Sequence, residues 1–192
     1  MSHAVADHYD DRAPTYYASA MHRGIAAEVA SLAAASAPGG RVLDVGTGTA
    51  LVLRGLSAEH ERIGVDLSPW MLARGRAADP GLLLLRADAV RLPLPAASID
   101  VVTCVTVLHL LPDAVAAMAE WRRVLRPGGV AITATFVASG APGPAQDFPR
   151  DHESFRSPEQ VGAHAARAGL RLTASHTSRH DLDTLLVCRA ER

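Results

Sequence analysis

The segment Arg41–Ala50, read RVLDVGTGTA, constrains the fold more than any other part of the chain. Its apolar run Val42, Leu43 and Val45 suits a buried strand, Gly46 and Gly48 mark a turn, and Ala50 to Leu56 opens a helix-forming stretch. A buried strand passing through a glycine turn into a helix is the first unit of a doubly wound α/β sheet. Glycine has no Cβ, so it takes positive φ cheaply and lets a ligand lie against the backbone. Free amides at the helix start would add positive potential. The turn therefore predicts a nucleotide-like ligand.

Length and charge narrow the setting. The 192 residues suffice for one domain with a full core, and 48% of them are hydrophobic. No apolar run approaches the roughly 20 residues of a membrane span, so no membrane partner is expected. A net charge of −1 supplies no positive field for nucleic acid or anionic lipid. Met1 to Asp11 is too polar for a secretory signal. Cys104 and Cys188 lack disulfide or metal spacing, and a reduced, cytoplasmic setting is the expectation.

Periodicity orders the rest. A helix is expected over Thr15–Ala35, ended by Ala37-Pro38-Gly39-Gly40. Helix Ala50–Ala58, strand Arg62–Asp66, helix Pro69–Ala78 and strand Leu82–Ala87 follow the first strand. Strand Ile99–Val105, helix Asp113–Leu125 and strand Val130–Phe136 continue the alternation, which implies a parallel sheet covered on both faces. The tail breaks it. After a helix at Pro158–Ala168, the strands Leu170–Ser178 and Thr184–Arg189 are joined by too short a turn for a crossover and must pair antiparallel. The chain reads as one domain, 1–192: a cap over 1–36, a cofactor-binding core over 41–136, a lid loop over 137–156, and a helix and closing hairpin over 157–192.

Acids stand at successive strand ends. Asp44 precedes the glycine turn, and Asp66 follows Gly46 by 20 residues, the spacing at which an acid can hold a ribose diol. Asp88, with the amide of Ala89, could meet the amine and ring nitrogen of adenine, and Thr103-Cys104-Val105 ends the fourth strand.

On these residues the chain resembles the class I S-adenosylmethionine-dependent methyltransferases over roughly Tyr9 to Ala190. VLDVGTGTA looks like their first motif, GVDLSPWML their second, ADAVRLPLPAASIDVV the region through the fourth strand, and LRPGGV the turn before the fifth. YDDRAPTYY is similar to the opening of the menaquinone/ubiquinone-biosynthesis-like, small-molecule branch. The resemblance implies a Rossmann-like seven-stranded sheet of order 3-2-1-4-5-7-6 with the last strand antiparallel, and S-adenosylmethionine as cofactor. It also implies a contact set of Tyr16, Asp44, Gly46, Thr47, Gly48, Asp66, Leu67, Met71, Asp88, Ala89 and Val105. One departure is Ala50, where the family often has a third glycine. Leu51, three residues after Gly48, counts against a dinucleotide turn and so against an NAD-dependent oxidoreductase. A SAM-binding module without transferase activity is the other alternative.

His109, in VTVLHLL, is the candidate general base, or an ordinary helix-start histidine; Tyr16 and His152 are further candidates. His176 and His180 lie about 13 Å apart if on one strand, so they read as a solvated hairpin tip and no metal is expected. Arg122, Arg123 and Arg126 with Glu120 read as a solvent face, and Cys104 as a core thiol. No Asn/Asp-Pro-Pro-aromatic motif follows the fourth strand, no Pro-Cys nucleophile is present, and the chain has no Asn. These absences point away from nucleic-acid amines, base C5 and metal-assisted catechols, and leave a small organic acceptor. A second subunit could complete its pocket.

Overall fold

The computed structural model describes residues 3–12, 18–138 and 150–192. A seven-stranded sheet runs in the order β3-β2-β1-β4-β5-β7-β6. Its strands are β1 Arg41–Val45, β2 Glu61–Asp66, β3 Leu83–Arg86, β4 Ile99–Val105, β5 Leu125–Ala138, β6 Arg171–His180 and β7 Asp183–Glu191. The first five pair in parallel, and β7 is antiparallel to both β5 and β6, as expected. The helices are α1 His3–Arg12, α2 Ala20–Ser36, α3 Leu51–Arg54, α4 Pro69–Ala78, α5 Ala114–Val124 and α6 Pro158–Arg167.

Local chemistry sets the boundaries. Ser68 caps α4 by accepting the Met71 N–H, with Pro69 in the first turn. Ser157 and Gln160 make a reciprocal capping box on α6, and Asp113 caps α5. Apolar side chains of α2, α3 and α4 cover one sheet face; those of α5 and α6 cover the other around Trp121. The sheet is thus buried on both sides where its strands read as continuous apolar runs.

Several expectations need correction. Helix α3 is one turn rather than Ala50–Ala58, because Gly55 and the polar run after Leu56 stop it. Strand β5 begins at Leu125 and passes through Pro127-Gly128-Gly129, with a register shift absorbing the turn. α2 starts at Ala20, where Ser19 caps it, and α1 was not anticipated at all. Within the presumed lid, Glu153–Phe155 forms a 3-10 turn whose Phe155 is buried and whose carbonyl accepts the Thr135 hydroxyl at 2.9 Å. Positions 139–149 of that loop lie outside the described residues.

The arginines of α5 are fasteners as well as a solvent face. Arg123 pairs with Glu120 at 2.6 Å and donates to the carbonyls of Leu92 and Leu94, while Glu120 takes the Leu92 N–H. His176 and His180 are likewise no free tip. Both Nε2 atoms meet the Glu28 carboxylate of α2, at 2.7 and 2.9 Å, and Ser178 donates to it at 2.5 Å. The two rings approach one carboxylate along the edge strand, tying the hairpin to α2; among the described residues no cluster suits a metal. Cys104 and Cys188 are free thiols buried in the core, and burial raises the pKa of each.

Candidate functional site

The strand order reverses between β1 and β4, and open α/β sheets bind ligands beyond the strand ends at that point. Gly46 and Thr106 follow those two strands there. A crevice with two lobes flanks them, sharing Gly46, Gly48 and Thr106. The first lobe, counted with the solvent at its mouth, spans about 420 Å³ against Asp66, Leu67, Met71 and Val107. The second, counted likewise, spans about 360 Å³ against Asp44, Thr47, Leu51 and Val105.

The turn spends most of its amides internally. The N–H groups of Gly46 and Thr47 both donate to the Val65 carbonyl, that of Ala50 to Thr47, and that of Gly48 to Asp66. With α3 only one turn long, the positive helix start expected from sequence is not available. Gly46 and Gly48 have φ of 71° and 55°, as the turn requires, and Ala50 also sits left-handed at 63°. That conformation accounts for glycine being common at the third position, and alanine is the smallest residue after it.

Asp66 is held by two backbone donors: Gly48 N–H to Oδ2 at 2.9 Å and Ser68 N–H to Oδ1 at 2.9 Å. Each oxygen keeps a lone pair for another donor. Burial raises the Asp66 pKa, these amides oppose the rise, and the charge of Asp10 adds to it.

Asp44 is 3% exposed and lies opposite Thr103 in the β1–β4 register, whose hydroxyl donates to it at 2.7 Å. Burial raises its pKa to about 6; the hydroxyls of Thr103 and Thr47 oppose this and the charge of Asp66 adds to it. Between the unfolded carboxylate value and about 6, the native state binds the extra proton. Ionised Asp44 therefore costs stability as pH rises through that window, on the order of 2–3 kcal/mol at neutrality. His109 acts in the opposite direction. Burial, then the charges of His152 and Arg150, lower its pKa to about 3, so the unfolded state is the more protonated one up to the ordinary histidine value, and stability rises with pH. We expect Asp44→Asn to be more stable than wild type at pH 7, and to gain stability more steeply from pH 4 to 6.5. Urea unfolding across that range checks it; parallel curves would contradict it.

Among the described residues no arginine lines either lobe. Two carboxylates facing a space whose one described basic side chain is His22, in the Asp44 lobe, suit a ligand with hydroxyls and cationic centres, and disfavour a pyrophosphate. This donor set fits S-adenosylmethionine, which carries a ribose diol, a sulfonium and an ammonium.

Of the residues expected from sequence, Asp44, Gly46, Thr47, Gly48, Asp66, Leu67, Met71 and Val105 line the crevice. Asp88 and Ala89 line neither lobe: Asp88 Oδ1 accepts the Val90 N–H at 3.3 Å, a turn-acid role, and Ala89 is buried in the core. Tyr16 lies outside the described residues. His109 also lines neither lobe. It is buried in the 3-10 turn Leu108–Leu110, its ring stacked on His152 at 4.0 Å and edge-on to Phe136 at 5.7 Å, with no partner for Nδ1. The N–H of Asp151 donates to its carbonyl at 2.9 Å.

Sequence reasoning missed Thr106, whose φ of 55° is unusual for a β-branched residue and which touches both lobes. It missed Val107, which fills the space a Cβ on Gly46 would need. Nothing in the residue order marks these two. Thr103 lies in the expected end of β4, and the β1–β4 register, not the residue order, supplies its bond to Asp44.

Comparison with known proteins agrees with the geometry. The family described as "Methyltransferase domain" matches residues 43–133. A malonyl-[acyl-carrier protein] O-methyltransferase of Serratia marcescens is 31% identical over 185 residues, covering 95% of this chain and 70% of that protein. A demethylmenaquinone methyltransferase of Beutenbergia cavernae is 38% identical over 100 residues, covering 52% of this chain and less than half (42%) of that protein. A SAM-dependent methyltransferase structure from Thermotoga maritima superposes with a TM-score of 0.71 at 19% identity, covering 98% of each chain; it shares the fold.

Proposed function

Since this chain belongs to the class I S-adenosylmethionine-dependent methyltransferases, we propose that it methylates a small organic acceptor, at oxygen, carbon or nitrogen, bound beside the crevice at the glycine turn. The observation that carries the cofactor half is the pair of acids, buried Asp44 and half-buried Asp66, on either side of the glycine turn, with no arginine among the described residues lining either lobe. When bound, the cofactor supplies a methyl group on a sulfonium, with a good leaving group already in place. What remains for the protein is alignment and exclusion of water.

In this reading both oxygens of Asp66 hold the ribose diol, with Leu67 and Met71 against the base. Asp88 and Ala89 meet the edge of adenine, and Tyr16 closes over the cofactor. Asp44 and Thr47 face the amino-acid end. Small acceptors are supported by the relatives named demethylmenaquinone methyltransferase and by the lack of nucleic-acid motifs in the chain. Among the described residues, no helix is long and apolar enough to cross a membrane. We further propose a cytoplasmic setting and a homodimer that completes the acceptor pocket.

His109 enters this proposal as a neutral imidazole. A group with a pKa of about 3 takes a proton poorly at neutral pH, and its Nδ1 is buried, so in this reading it acts by packing His152 and Phe136 in place rather than by taking the acceptor's proton. His109→Gln is expected to lower acceptor kcat/KM by about tenfold, with the pH–rate profile unchanged between pH 6 and 8. A loss of about 10²–10⁴ with an altered limb would instead make it the general base.

The function as a whole is tested with tritiated methyl donor and a small-molecule extract. Label entering the low-molecular-weight fraction supports the proposal. Label confined to protein or nucleic acid, or tight cofactor binding without transfer, would overturn it.

A further inference from the structure

Helix α1 reaches the first lobe from outside the sheet. Val5, Ala6 and Tyr9 line that lobe, and Val5 and Tyr9 pack on Leu110 as a small cluster separate from the two main cores. Among the described residues this apolar contact is small for a ten-residue helix. The Asp10 carboxylate adds a polar hold. Asp10 Oδ1 accepts the Ser68 hydroxyl and the Trp70 N–H, the latter at 3.3 Å.

Ser68 is fully buried and engaged on three sides. Its hydroxyl donates to Asp10 and accepts the Met71 N–H at 3.0 Å; its own N–H donates to Asp66 Oδ1 at 2.9 Å. A hydroxyl has one proton, so directing it at Asp10 turns the oxygen lone pairs toward Met71. The same serine thus connects α1, the first turn of α4, and the acid facing the crevice.

We propose that Asp10 is the latch of a cofactor lid: by engaging Ser68 it closes α1 over the first lobe, holds Asp66 in place through the same residue, and slows release of the ligand beneath. Asp10 is a positioning residue, acting through Ser68. The release part rests on the reading of the first lobe as the adenosyl site; the closure part does not.

The test has two readouts on the full chain. In ligand-free protein, amide hydrogen exchange of residues 5–12 should speed up about tenfold or more in Asp10→Ala. With S-adenosylhomocysteine as the probe, its dissociation measured by stopped flow should also be about tenfold faster. Asp10→Asn, which keeps an accepting oxygen, should fall between wild type and alanine. Val5→Asp, which undocks the apolar side of α1, should reproduce both effects without touching Ser68. Unchanged exchange in Asp10→Ala would overturn the latch, as would an opened α1 with unchanged release, or faster release with α1 still protected. If wild type fails to bind the probe, the cofactor reading is overturned, and the exchange arm alone decides closure.

Discussion

Replacing Asp66 with alanine is expected to weaken S-adenosylhomocysteine binding by about 1.5–3 kcal/mol, roughly 10- to 150-fold in Kd. The carboxylate does two jobs that the substitution ends together. It takes the Gly48 and Ser68 N–H groups, which fix the glycine turn and the start of α4, and it leaves one lone pair on each oxygen for a vicinal diol. Asp66→Asn separates the two. Its amide can keep one backbone bond and retain the shape, but it accepts through one oxygen instead of two. Titration calorimetry should therefore find asparagine weakened, though less than alanine. Wild-type affinity in both variants would place the ribose elsewhere.

Gly46→Ala is expected to cost about 2–5 kcal/mol of folding stability, combining left-handed strain with overpacking. Gly46 has φ of 71°, and a Cβ built there would lie 2.5 Å and 2.9 Å from the two methyls of Val107. Val107 stands two residues beyond the end of β4 and lines the first lobe, so it can yield only by moving the wall of the crevice. In a domain of this size the loss corresponds to a fall of several degrees or more in Tm, with cofactor binding lost in parallel. Gly46→Ala,Val107→Ala should recover part of the stability by removing the clash but not the strain. No change in Tm for Gly46→Ala would mean the turn relaxes to another conformation.

The outline of the fold was legible because it rests on periodicity. Continuous apolar strands, alternating helices and a short final turn leave few topologies, and β4 and α4 fall at their expected boundaries. The acids were legible because strand ends gather at the switch point, which turns separation in sequence into proximity. Other features depend on tertiary contact. His176 and His180 are too far apart along the strand to share a metal, yet their long side chains reach one carboxylate of α2. α1 has no clear amphipathic pattern and exists where Val5 and Asp10 find partners far along the chain. His152, a further candidate base in the sequence, stacks on His109 because the backbone of Asp151 is tied to it. Asp88 had the right spacing, but its Oδ1 accepts an N–H of its own turn, so spacing alone did not settle its role.

The central claim is that the two acids beside the glycine turn receive the two ends of an adenosyl amino acid. A crystal structure of the chain with S-adenosylhomocysteine tests it most directly. The account predicts ribose hydroxyls on both oxygens of Asp66, adenine against Leu67 and Met71, and the amino end on the Asp44 side. A ligand lying outside this crevice, or within it with its ribose away from Asp66, would contradict it.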